Sequence, residues 1–149
     1  MKTLKPSRPL FVAFLALILV SVFPPAMAAD QDAKNFITIA TGVVPSDGDA
    51  RIPVVSRQLA NIQASCDRTS RGAPIWDKLA KANSLVRYPE SLLALLSDFV
   101  RVARASCSRL DDSTLISLYV LERNAGHSHA VVVNRLVTNP GALVQKYGG

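Results

Sequence analysis

Apolar residues in this chain follow two patterns. Leu10 to Phe23 is a continuous apolar run broken only by Ser21. Beyond residue 50 the apolar positions step by three and four, the spacing that gathers them on one face of a helix. Val55, Leu59, Ile62 and Cys66 form the first such series, with Pro53 at its start, and Ile75, Leu79, Ala82 and Val86 form the second, after Pro74. After Pro89 a longer series takes in Leu92, Leu96, Phe99 or Val100, Ala103 and Cys107, while Asp98, Arg101 and Arg104 fall mainly off that face. Proline suits the first helical turn, where its missing N–H would have no intrahelical partner anyway.

A fourth helix is expected over about Ser113 to Ala125, capped by Asp111-Asp112 and stopped by Gly126. Leu115, Ile116, Leu118, Tyr119, Val120 and Leu121 make it apolar on most sides, which predicts either the most buried helix or a strand, with helix preferred. Ser128 is placed to cap a fifth helix through about Val137, although the β-branched run Val131-Val132-Val133 leans toward strand. Asn139-Pro140 has the cap-then-proline form that starts a last short helix. Upstream, Phe36-Ile37-Thr38-Ile39-Ala40 reads as a short strand or an extended arm, and Thr41 to Arg51, with its glycines, proline and aspartates, reads as loop. The expectation is an all-α, compact bundle of five to six helices with an extended N-terminal arm and one disulfide. Its organisation would be a leader over 1–28, an arm or loop over 29–52 and a helical domain over 53–149.

The apolar run near the start carries the signature of an export signal. Lys2, Lys5 and Arg8 precede it; Pro24-Pro25 and the small-x-small triplet Ala26-Met27-Ala28 follow. As a helix the run would rise roughly 21 Å, short of the roughly 30 Å hydrocarbon core of a bilayer. Cleavage after Ala28 and a periplasmic or secreted protein are expected; the competing reading is an uncleaved N-terminal anchor. Contact with the membrane would then be through the leader alone, before cleavage.

Charge says less than it first suggests. The full chain has 17 basic and 11 acidic residues, a formal net charge of +6. Removing Lys2, Lys5 and Arg8 leaves fourteen against eleven, or +3, no footprint for a nucleic-acid partner. With 49% hydrophobic and 19% charged residues, long disorder is not expected either.

Cys66 and Cys107 are the only cysteines, and in an oxidising compartment a lone pair predicts a bridge. They sit too far apart for a redox pair and lack two companions for zinc. Both fall near the C-terminal ends of predicted helices, so a bridge would pin those helices side by side.

Candidate chemistry is sparse. His127-Ser128-His129 could clasp a metal ion from an extended segment, with Glu122 or Asp112 as a third ligand. The blander alternative is a polar turn between helices. No serine-hydrolase elbow, zinc-protease motif, phosphate loop or other cofactor-binding pattern is present, and Glu90 and Glu122 are the only glutamates. An enzymatic reading would rest on His127 or His129 with Glu122 as acid–base partner. Arg101, Arg104 and Arg109 could line a helix edge that meets an acidic protein or another anion, or form an ordinary solvated face. Trp76 could fill the core or border a partner groove.

Phe36-Ile37-Thr38-Ile39-Ala40-Thr41-Gly42 resembles the first strand and turn of the TAXI-type solute receptors of the bacterial periplasm. That resemblance would imply a strand here and a small-ligand receptor of two α/β lobes. The sequence departs from the family at Val43-Val44-Pro45-Ser46-Asp47, and the helical remainder does not follow its pattern. Two functions therefore stand open. One is an exported helical module that binds an envelope or secreted protein as accessory, inhibitor or chaperone-like partner, without turnover or cofactor and with His127 and His129 dispensable. The other is a small-ligand or metal-ion binder using those histidines or a pocket near Trp76.

Overall fold

The computed structural model describes residues 25–66 and 72–148. Among these residues there are seven helices and no strand: α1 Pro25–Thr41, α2 Arg51–Cys66, α3 Ile75–Leu85, α4 Leu92–Ser106, α5 Asp112–Asn124, α6 His129–Thr138 and α7 Pro140–Tyr147. The all-α bundle is as expected, with more helices than the five or six read from the sequence. Most of the predicted leader lies outside the described residues. No helix among the described residues is long and apolar enough to cross a membrane.

The N-terminal arm is the main correction. Residues 36–40, expected to be extended, belong to α1, and the TAXI-like strand is not formed. Ala33, Phe36 and Ile37 are completely buried, the i, i+3, i+4 stripe of a helix packed on its neighbour. Thr38 and Thr41 donate their hydroxyls to the carbonyls of Lys34 and Ile37, both at 2.8 Å, so these β-branched residues are accommodated in the helix. Gly42, at φ +72°, then ends it, donating its N–H to the carbonyl of Thr38. Only residues 42–50 form the predicted loop, and α1 packs chiefly against α2 and is part of the helical domain.

At the centre lies α4, not α5 as the sequence suggested. It touches α1, α2, α3, α5 and α6, and Leu95, Leu96, Phe99, Val100, Val102 and Ala103 are buried around it. By contrast α5 buries Leu115, Leu118 and Tyr119 inward but leaves Leu121 at the surface. The run Val131-Val132-Val133 is helical, because Val132 and Val133 reach the core together with Leu136 one turn on. Ser128 occupies the N-cap position of α6, but its hydroxyl makes no capping bond. The other caps are as predicted: Asp111 accepts from the Thr114 N–H, Asn139 from the Ala142 N–H, and Gly126, at φ +93°, follows α5.

Cys66 and Cys107 are bonded to each other, with Cα atoms 4.9 Å apart. Cys66 is the last residue of α2 and Cys107 caps α4, so the bridge joins the C-terminal ends of two packed helices.

Candidate functional site

The structure separates the two histidines. His127 Nε2 lies 3.7 Å from Glu122 Oε2, whereas His129 Nε2 is 2.9 Å from Asp98 Oδ2 on α4. Among the described residues no three His, Cys, Asp or Glu side chains form a group that could hold a metal ion. Asp112, the other suggested ligand, is paired with Lys78 at 2.8 Å.

Glu122 instead anchors the C-terminal helices. Its side chain is completely buried on the inner face of α5. Oε1 accepts hydrogen bonds from Lys146 Nζ and Tyr147 Oη of α7, each at 2.6 Å, and Oε2 accepts one from the Arg135 guanidinium of α6. Burial works to raise its pKa, but the bonds from Lys146, Tyr147 and Arg135 outweigh it and hold the carboxyl at about 2. Periodicity marks Glu122 only as one polar residue in an apolar helix; its partners lie on other elements and could not be read off α5.

A second polar cluster joins α4, α5 and α6. Tyr119 Oη is 3.0 Å from His129 Nδ1, and the Asp98 carboxylate meets the opposite ring nitrogen. Burial pushes the Tyr119 phenol up to about 12, so it stays protonated. With a neutral ring, Tyr119 donates to Nδ1 and Nε2–H donates to Asp98. This chain of bonds has the form of an acid–base relay, but Tyr119 is buried and both ring nitrogens are occupied. Nearby, Arg123 donates to the carbonyls of His127 and Tyr88 and to Glu90 Oε1, fastening the α3–α4 connection to α5.

These contacts give the two histidines unequal expected weights in stability. His129→Ala should lower stability by about 1–2 kcal/mol, because it strands the buried Tyr119 hydroxyl, while His127→Ala should cost less. Urea unfolding of the two single variants checks the order.

The other candidates are dispersed. Arg101 lies 3.6 Å from Asp98, Arg109 in the turn after α4 donates to the Ala105 carbonyl, and Arg104 is exposed on α4. Trp76 packs against the core and donates Nε1–H to Asp32 at 2.9 Å. A cavity beside it is walled in part by Cys66 and Gly72, which border the undescribed residues 67–71.

An open apolar trough lies between α3 and α5. Lys78, Lys81, Ala82 and Leu85 line one side of it, and Ser113, Ile116, Ser117, Val120 and Leu121 line the other. Both sets follow helical three-and-four steps, so α3 and α5 each turn a stripe to it. Leu85 is 58% and Leu121 44% exposed. Polar bonds clamp both ends. Lys78 Nζ reaches Asp112 Oδ2 at 2.8 Å and Ser113 Oγ at 3.2 Å; at the other end Asn124 donates to the Leu85 carbonyl and accepts from the Arg87 N–H. The helices therefore run parallel, with a fixed separation and an apolar floor between the clamps.

No known protein family, characterised protein or solved structure matches this chain.

Proposed function

We propose that this protein is an exported α-helical binding module that works without turnover, as an accessory, inhibitor or chaperone-like partner of an envelope or secreted protein. The observation that carries this reading is the trough between α3 and α5. It is apolar and clamped at both ends, and two large aliphatic side chains stand exposed at its edges. Apolar grooves between helices are the sites at which a partner's apolar side chains dock. His129 and Glu122, by contrast, are engaged in bonds between helices. Export is supported by the order of basic residues, apolar run and Ala26-Met27-Ala28. A Cys66–Cys107 bridge is also of the kind that persists in oxidising compartments. Met27 and Ala28 are exposed, so cleavage after Ala28 leaves the buried residues of α1 in place.

The test is capture with a groove-blocked control. Protein tagged at its C-terminus and recovered from the envelope or medium should retain a partner protein, and its mass should correspond to a chain starting at Ala29. The variant Leu85→Asp with Leu121→Asp should lose that partner while keeping its circular dichroism and melting temperature, since both side chains are exposed. Equal capture by the variant would refute the role of this face. Recovery of turnover would refute the binding class.

A further inference from the structure

We infer that the α3–α5 trough receives an amphipathic helix of a partner protein, with an acidic flank set against Lys81; this rests on the binding reading above. Length supports a helix. From Lys78 to Leu85 is seven helical steps, about 10 Å, which matches the spacing of anchors at i, i+3 or i+4 and i+7. The lining residues alternate as such anchors require, with Ala82 and Ile116 low in the trough and Leu85 and Leu121 rising at its edges.

Charge selects the flank. Lys81 lines the trough and makes no ion pair among the described residues, and no carboxylate lines it. Arg87 stands exposed just beyond Leu85, adding positive charge at that end. Lys78 is engaged with Asp112, so the charge offered to a partner is that of Lys81 and Arg87. A second copy of this chain fits poorly, because pairing two troughs face to face would set one basic rim against another with no carboxylate between them. A lipid chain needs enclosure, and this trough is open along its length.

A photo-crosslinker at the trough distinguishes these occupants. Ser117 is exposed on α5 and bonds only within its own helix, so Ser117→p-benzoylphenylalanine in the full chain leaves the clamps in place. Irradiation in cells should yield an adduct that maps to a helical segment bearing Asp or Glu beside apolar anchors. Lys81→Glu should reduce adduct yield by roughly tenfold, and Lys81→Arg should preserve it. An adduct to lipid, to a second copy or to a basic or extended segment overturns the inference, as does the absence of any adduct. Loss of partner in the Leu85→Asp/Leu121→Asp capture, combined with a non-acidic adduct, would leave the binding reading standing and remove only the acidic helix.

Discussion

Replacing either cysteine with serine is expected to destabilise the protein by about 2–4 kcal/mol, and the two single variants should be nearly equal. Equality follows from the shared bond: Cys66→Ser and Cys107→Ser each open the same loop, across a sequence separation of 41. In the loop-entropy account, closing a loop of that length restricts the unfolded chain by roughly 4 kcal/mol, which sets the upper end. Both sulfurs are buried, so the unpaired thiol and the new hydroxyl add a smaller local cost. The helices themselves should survive, because α2 and α4 also pack through Val55, Leu59, Leu95 and Phe99 in the same core. Urea unfolding of the wild type, the two variants and the reduced wild type measures the effect. The expectation fails if reduction leaves the midpoint unchanged, or if the two variants differ widely.

The second large effect concerns Glu122, and it is asymmetric. Glu122→Gln should cost about 2 kcal/mol at neutral pH, because Arg135 and Lys146 lie near the surface and can turn to water once the charge is gone. Arg135→Met with Lys146→Met should cost more. It leaves the carboxylate buried with only Tyr147 and His127 nearby, and an uncompensated buried charge is the more expensive state. Adding Glu122→Leu to that double variant should recover much of the loss.

Acid provides a further check on the same network. The Glu122 carboxyl is held at about 2 against an ordinary value of 4.5. A depressed carboxylate stabilises the fold fully above its unfolded value and loses that contribution as pH falls through its folded value. The advantage of wild type over Glu122→Gln should therefore narrow as pH drops from about 4.5 toward 2. The double cation variant should follow the same direction more steeply, with its deficit relative to wild type largest at neutral pH and smaller in acid. A pH-independent difference between wild type and Glu122→Gln would show that the cluster has no electrostatic role in stability.

The sequence alone determined the helical class, because burying one face of a helix requires a three-and-four step that three segments of this chain display. It determined the pairing of Cys66 with Cys107, since no other thiol exists, and placed the ends marked by Asp111, Gly126 and Asn139, where capping depends on neighbours within one turn. What it could not settle depended on contacts between distant segments. Phe36 to Ala40 has strand-like composition, and only docking against α2 makes the helical stripe of Ala33, Phe36 and Ile37 the better solution. The apolar faces of α5 look alike in sequence; the fold covers the one bearing Leu115 and Tyr119 and leaves Leu121 facing the trough. His127 and His129 looked like partners because they are two residues apart. The start of α6 between them turns one toward Glu122 and the other toward Asp98, carboxylates whose positions are set by α5 and α4. Local patterns report which face a residue occupies, whereas the identity of its partner depends on how the helices pack.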